Sequence, residues 1–492
     1  MPSTSQLYYG DNLEVLRQHI ADESVDLIYL DPPFNSNATY NVLFKSHEGD
    51  NARAQIEAFD DTWHWGPQAE EEYNELTRGR STVEVAGFIE AMRTVLGTSD
   101  MLAYLVMMAP RLMEMRRVMK STASIYLHCD QTASHYLKLL MDAVFTGSCF
   151  QNEIIWQYSV GGRGKKRFAR KHDNIFFYTK TQNYFFDQKA IRVPMDAGTK
   201  SFGGRLETDE DGRQYRLVYG TGGKKYYKYY LDEGKIPEDV WQIQSLQSQD
   251  RERLGYPTQK PLALLERIIK ASCPIDGVVL DPFCGCGTTV DAAQQLGRKW
   301  IGIDITYIAV DLIIKRLQHR YGDEILDTFT TNGIPKDVES ADALFERNPF
   351  DFERWAVSMV NGQPNDKQVG DRGVDGRIRY DAGTDATGIA VVSVKGGQQL
   401  NPAMVRDLAG TMGHENSNMG VLVTRYAPTR GMMDAAKSSG TYQLPKTLNK
   451  YPKIQMITVA ELLEGKRPNM PPVYLPYIKA KRKPDAETVP LF

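Results

Sequence analysis

An aspartate stands between an apolar run and two prolines. Leu30-Asp31-Pro32-Pro33-Phe34 closes the stretch Ser24-Val25-Asp26-Leu27-Ile28-Tyr29. The β-branched and aromatic residues of that stretch predict a buried parallel strand. Asp31 falls at its carboxyl end, where open α/β sheets bind their ligands. Two consecutive prolines fix φ and remove two N–H donors, so their carbonyls are stiffly aimed and the chain continues neither as strand nor as helix. Phe34 adds a flat apolar face. A carboxylate beside a backbone carbonyl can accept both hydrogens of an amino group conjugated to an aromatic ring. Such an amine is a poor nucleophile because its lone pair is delocalised. Accepting both hydrogens favours a more tetrahedral nitrogen that can attack, while Phe34 stacks on the ring.

A second string, Asp281-Pro282-Phe283-Cys284-Gly285-Cys286-Gly287-Thr288-Thr289, follows the strand-like residues Gly277-Val278-Val279-Leu280. Gly285 and Gly287 let the backbone come close to a ligand, and Thr288 and Thr289 are expected to cap the next helix. The spacing is not GxGxxG, so no phosphate is implied. Trp300-Ile301-Gly302-Ile303-Asp304 reads as another strand ending in an acid. Asp304 follows Asp281 by 23 residues, close to the ~20 of a ribose-binding carboxylate after a βα unit.

Further strings lie around these two. Tyr9-Gly10-Asp11-Asn12 precedes the first strand, with Leu13 and Leu16 behind it. Ser124-Ile125-Tyr126-Leu127-His128-Cys129-Asp130, Asn152-Glu153-Ile154-Ile155-Trp156 and Lys171-His172-Asp173 follow in order. Gly255-Tyr256-Pro257-Thr258-Gln259-Lys260-Pro261 comes just before the second glycine-bearing string. Pro261 suits the first position of a helix, with Leu264, Leu265 and Ile268 as its buried stripe. In this order the strings resemble the β-class S-adenosylmethionine-dependent DNA amino-methyltransferases, over about residues 5–325.

The resemblance implies a Rossmann-like α/β methyltransferase fold with circularly permuted motif order and S-adenosylmethionine as cofactor. It implies Asp31, Pro32, Pro33 and Phe34 as catalytic residues acting on a base flipped out of double-stranded DNA. It implies cofactor contacts from Asp11 (beside the adenine), Thr258, Lys260, Asp281, Phe283, Gly285, Gly287, Thr288 and Asp304. DPPF or DPPY in this family usually accompanies adenine N6, and SPPY cytosine N4, so adenine N6 is the expected target and cytosine N4 the alternative. Methylation at cytosine C5 needs a nucleophilic Cys after a proline, and none of Cys129, Cys149, Cys273, Cys284 and Cys286 follows one. His128 and His172 read as structural, because this attack needs no base to start it.

Composition sets the frame. A chain of 492 residues, 41% of them hydrophobic, is expected to hold two to four domains with sizeable cores. No run of 18 apolar residues and no signal-peptide pattern is found, and five dispersed cysteines suit a reducing compartment. A cytoplasmic, prokaryotic, nucleoid-associated protein is therefore expected. The net charge of −3 does not mark a nucleic-acid binder, but basic residues cluster. Residues 161–171, GGRGKKRFARK, carry six positive charges, and Lys224-Lys225-Tyr226-Tyr227-Lys228-Tyr229-Tyr230 interleaves lysine with tyrosine. Phosphate contacts and aromatic surfaces both suit DNA, so about residues 157–250 are expected to recognise the target. The insertion 41–80, with Phe59-Asp60-Asp61-Thr62-Trp63-His64-Trp65, is a second candidate DNA contact. Relatives of this class often dimerise, so a homodimer is also entertained.

The methyltransferase pattern covers residues 1–325. Residues 326–347 are polar and read as a linker, residues 348–465 as a smaller α/β unit, and 466–492 as a tail with the basic string Lys479-Ala480-Lys481-Arg482-Lys483. Phe352, Trp355, Ala356 and Met359 have helical spacing, and Ile389–Lys395 is strongly strand-like. Gly370-Asp371-Arg372-Gly373-Val374-Asp375-Gly376, followed by Val392-Ser393-Val394-Lys395-Gly396-Gly397, resembles the Mrr-like nucleases of the PD-(D/E)XK superfamily. The resemblance implies a restriction-endonuclease-like fold, Mg²⁺ held by Asp375 and by the residue at 393, Lys395 positioning the attacking water, and Glu353 assisting. Ser393 departs from the pattern, where Glu, Asp or Gln is expected. No GxxxxGK[ST] loop occurs. The expected whole is a single-chain restriction–modification enzyme with a Mg²⁺-dependent endonuclease. The alternative is a solitary methyltransferase whose C-terminal unit binds DNA without cutting it.

Overall fold

The computed structural model describes residues 4–33, 39–45, 51–60, 64–159, 166, 168–194, 205–219, 226–247, 249–250, 252–254, 256, 258–364, 373–383, 387–445 and 447–473. Phe34, Gly255, Pro257, Gly370, Asp371, Arg372 and most of the basic run 161–171 lie outside them, as do Lys224, Lys225 and the basic string of the tail.

Nine strands form one sheet, in the spatial order Val240–Gln242, Phe150–Gln157, His172–Thr179, Met119–Cys129, Val25–Leu30, Val278–Asp281, Lys299–Asp304, Ser5–Tyr9, Phe329–Asn332. Only the His172–Thr179 strand runs antiparallel to its neighbours. The central strands read as continuous apolar runs because both their faces are covered: all six residues of Val25–Leu30 are buried, and all four of Val278–Asp281. One face carries the helices Asn12–His19, Asp100–Val118 and Ser134–Phe145, around Leu16, Leu105, Met108 and Leu137. The other carries Leu262–Ser272, Thr288–Gln295 and Tyr307–Tyr321, around Leu265, Ile268, Val310 and Ile313. This is the expected Rossmann-like α/β fold.

The permutation becomes physical at the centre of the sheet. Val25–Leu30 and Val278–Asp281 are far apart in the chain yet pair in parallel, with Val279 opposite Leu27 and Leu280 opposite Ile28. Lys299–Asp304 pairs with the second of them, and Ser5–Tyr9 lies beyond, with Tyr9 opposite Asp304. Four adjacent strands therefore deliver Asp31, Asp281, Asp304 and Asp11 to one edge.

Some expectations change. Helix Thr288–Gln295 is capped not by a threonine but by Gly287, at φ +75°. Pro261 is the N-cap of Leu262–Ser272 and not its first residue. The stretch 326–347 is not an open linker. Phe329–Asn332 is the ninth strand, paired with Ser5–Tyr9, and Val338–Arg347 is a helix started by an Asp337–Ser340 capping box. Its polarity misleads because an edge strand and a surface helix bury little: only Ala341 and Leu344 of the helix are buried.

A second sheet orders Gln363–Pro364, Gly376–Asp381, Thr387–Lys395, Met419–Thr424 and Ile454–Thr458. Helices Pro349–Met359, Pro402–His414 and Arg430–Ser438 flank it. Phe352, Trp355 and Ala356 belong to the same packed core as Tyr307, Val310 and Ile313 of the large unit. Within 157–250 lies a separate three-stranded antiparallel sheet of Arg205–Thr208, Gln214–Tyr219 and Tyr226–Tyr230. Tyr227 and Tyr229 point outward from its edge strand, and Lys228 lies over the Tyr215 ring. Trp65 of the insertion is half-buried, its indole N–H donating to Glu70 and its ring lying under Arg93. Among the described residues no helix is long and apolar enough to cross a membrane.

Candidate active site

The four strand ends open into one cavity of about 400 Å³, lined by Asp11, Asp31, Pro32, Pro33, Thr258, Lys260, Asp281, Phe283, Gly285, Thr288 and Asp304, among others. Expected site residues from five separate stretches of sequence thus meet.

Asp31 is the best-placed acceptor. Lys260 Nζ donates to its Oδ2, whereas Oδ1 is buried without a hydrogen-bond partner among the described residues. One oxygen is fixed and the other remains to accept a hydrogen from whatever enters. Lys260 was expected at the cofactor; its ammonium also bonds the Thr258 carbonyl at 3.3 Å and so ties that segment to Asp31. Thr258 itself sits at φ +60°, a strained conformation for a β-branched residue and one that concentrates at functional sites.

The glycine turn is built for close approach. Asp304 Oδ2 accepts from the Gly285 N–H at 2.8 Å, and Oδ1 from the Thr306 N–H at 2.9 Å. Gly285 is at φ +48°, and a Cβ there would meet the Tyr256 ring at 3.3 Å; at Gly287 it would meet Ile313 at 2.6 Å. Asp281 is buried, and desolvation together with the Asp31 and Asp304 carboxylates pushes its pKa up to about 7, against the hydrogen bonds from Thr289 and the Phe283 N–H. Burial raises the Asp304 carboxyl as well. Phe283, Pro282 and the outward-facing Ile305 give the cavity apolar surfaces.

Several functional side chains escaped sequence reasoning. Arg111, from the middle of a hydrophobic helix, is buried and holds Asp11 Oδ2 at 2.6 Å and Asn12 Oδ1 at 2.7 Å. Asn12 Nδ2 in turn donates to the Pro282 carbonyl at 2.8 Å, joining the N-terminal element to the glycine turn. Arg316 bonds Asp291 at 2.9 Å and the Cys286 carbonyl at 3.1 Å, bracing the turn from behind. An arginine inside an apolar helix was the available signal, since a buried charge needs a partner. His128 is fully buried between Tyr29 and Asp173, as a structural histidine would be.

The cavity fits S-adenosylmethionine on its own features: an unsatisfied buried carboxylate oxygen, a glycine turn that leaves no room for side chains, apolar walls, and acids facing a cationic ligand.

In the C-terminal sheet Asp375, Ser393 and Lys395 do converge. Asp375 Oδ2 accepts from the Ser393 hydroxyl at 3.1 Å and from the Val394 N–H at 2.5 Å, and Lys395 Nζ lies 4.0 Å away. Glu353 rides on helix Pro349–Met359, which packs against the Thr387–Lys395 strand. The donor set does not fit Mg²⁺. The carboxylate oxygen is already bonded by the strand after it, position 393 supplies a hydroxyl that donates, and no trio of acidic, His or Cys side chains that could hold a metal occurs among the described residues.

This architecture is that of a known class. The chain belongs to the N6/N4 DNA methylase family, whose model matches residues 25–315. Residues 350–464 match a family described as NACHT-associated inactive restriction endonuclease 1, which agrees with a nuclease-like unit but does not bear out an Mrr-like one. The type II methyltransferase M.ScaI of Streptomyces caespitosus is 32% identical over 171 residues, covering 34% of this chain and 49% of that one. The DNA adenine methyltransferase YhdJ of Escherichia coli K12 is 26% identical over 313 residues, covering 63% and 82%. The chain therefore spans about half the length of the first relative. Among solved structures, the cytosine-N4-specific PvuII DNA methyltransferase aligns over 67% of this chain and 95% of its own, with 14% identity and a TM-score of 0.39.

Proposed function

We propose that the chain transfers the methyl group of S-adenosylmethionine to the exocyclic amino group of a base in double-stranded DNA, adenine N6 in preference to cytosine N4. The observation that carries this is the pairing of Val25–Leu30 with Val278–Asp281, which sets Asp31 and the glycine turn in one cavity. When bound there, the cofactor supplies an electrophilic methyl on a cationic sulfur. Asp31 Oδ1 and the Pro32 carbonyl would accept the two amino hydrogens and sharpen the nitrogen's lone pair, while Lys260 holds the other Asp31 oxygen. Asp31 would take up the proton that the amino nitrogen sheds on accepting the methyl group and pass it to solvent. Phe34 would stack on the flipped base, whose extraction costs a few kcal/mol. The adenine preference rests on the DPPF string and is in keeping with the likeness to YhdJ, a DNA adenine methyltransferase. The exposed Tyr227 and Tyr229 favour a DNA-facing role for the three-stranded sheet. The C-terminal unit, with its altered metal position, is proposed to hold DNA without cutting it, as part of a methylation system.

The test is nucleoside mass spectrometry of unmethylated plasmid after incubation with the protein and cofactor. N6-methyladenosine is expected. N4-methylcytosine would keep the mechanism and overturn the base. Asp31→Ala should abolish transfer while calorimetry still shows cofactor binding; unchanged turnover would refute the role of Asp31.

A further inference from the structure

Beyond the C-terminal end of the methylase match, the cavity wall holds Arg354, on helix Pro349–Met359 of the C-terminal unit. This helix is firmly seated. Phe352, Trp355, Ala356 and Val357 are buried, in a core that Tyr307, Val310 and Ile313 share. Its approach to the site is also fixed by polar contacts. The Asp351 carboxylate lies beside Tyr9 and helps raise its hydroxyl pKa; Tyr9 is the last residue of the strand that leads into Gly10 and Asp11. Arg347, at the end of the preceding helix, lies 5.8 Å from the Tyr9 ring centroid. Arg354 stacks on Phe350 at 4.0 Å, which orients its guanidinium.

The strand order indicates which part of the cofactor this side chain meets. The methyl group must face Asp31, at the end of Val25–Leu30. Ser5–Tyr9 lies three strands away, roughly 14 Å at ~4.8 Å per strand, a distance comparable with an extended adenosylmethionine. The ribose would then fall to Asp304 on the intervening strand, and the adenine to the region of Gly10, Asp11 and Ile305, which line the same cavity as Arg354. Asp11 is already held by Arg111, and Lys260 by Asp31.

We propose that Arg354 is a cofactor-binding residue supplied by the nuclease-like unit, its guanidinium bonding or stacking on the adenine of S-adenosylmethionine. The inference rests on the methyltransferase reading. It gives the C-terminal unit a role that needs no cleavage: it completes the cofactor site. Seating of that unit and cofactor binding then favour one another by the same factor, because linkage is reciprocal.

The test is calorimetry on the full chain with S-adenosylmethionine, S-adenosylhomocysteine and adenosine, comparing wild type with Arg354→Met, which keeps the apolar stem, and Arg354→Lys. Loss of a charge-assisted contact should weaken all three ligands for Arg354→Met by about tenfold, with Arg354→Lys intermediate and thermal stability close to wild type. Hydrogen exchange adds a readout independent of activity. Cofactor should slow exchange in helices Val338–Arg347 and Pro349–Met359 of wild type, and less so in Arg354→Met. Equal affinities in wild type and Arg354→Met would overturn the inference. Weaker S-adenosylmethionine with unchanged adenosine would overturn the assignment to the adenine. No binding to wild type would instead overturn the methyltransferase reading beneath it.

Discussion

Asp281 shows how one residue can serve both the fold and the ligand. Burial and two neighbouring carboxylates hold its pKa near 7, well above the ~3.9 of an unfolded chain. A carboxyl raised in the folded state contributes fully to stability below about pH 4, and that contribution is lost as pH climbs toward about 7. Asp281→Asn should therefore melt with a flatter pH dependence than wild type across that window when no ligand is present; parallel melting curves would refute the shift. A cationic cofactor prefers the ionised form, so affinity in wild type should rise with pH through about 7 and then level off, and Asp281→Asn should bind more weakly with little pH dependence. Calorimetry across that range checks both. None of this titration is legible in the sequence. The string from Asp281 to Thr289 shows an acid before glycines, but the neighbours that raise its pKa, Asp31 and Asp304, arrive only through strand pairing.

Elements make the site by exclusion as much as by contact. Gly287 must cap helix Thr288–Gln295 in a left-handed conformation, and any side chain there would enter Ile313. The helix opposite answers with Arg316, which bonds both Asp291 and the Cys286 carbonyl, while Arg320 and Tyr321 complete the cluster around Asp291. Arg316→Met would leave a buried carboxylate short of its main partner and release the turn. The expected cost is about 3–5 kcal/mol, read as a large fall in denaturation midpoint together with weaker cofactor binding. A variant as stable as wild type would show that Arg320 alone satisfies Asp291. The strands and glycine turn were legible because their apolar runs end in acids at strand ends. Arg111 left one hint, an arginine within an apolar helix, but Arg316 left none, because a charged residue on a helix ordinarily faces water and only the packing of Tyr307–Tyr321 turns it inward.

At the scale of the whole molecule, two units that the sequence separates with a linker share one core. The polar stretch between them is folded, its strand Phe329–Asn332 extending the methylase sheet and its helix Val338–Arg347 bringing Arg347 over Tyr9. Asp375, Ser393 and Lys395 meet, and their bonds are those of a strand junction. Asp375 closes the step into Gly376–Asp381 by accepting from Ser393 and Val394, and Gly376–Asp381 pairs with the strand that carries both. Its loss should therefore be felt in stability and not in cleavage. Asp375→Ala strands the Val394 N–H and the Ser393 hydroxyl in a buried setting, where an unsatisfied donor costs about 1–3 kcal/mol. The expected outcome is a lower melting temperature, methyl transfer that survives below it, and plasmid left uncut by both proteins in Mg²⁺. Wild-type nicking or linearisation of unmethylated plasmid that disappears in Asp375→Ala would restore the endonuclease and return the chain to a restriction–modification enzyme in one polypeptide.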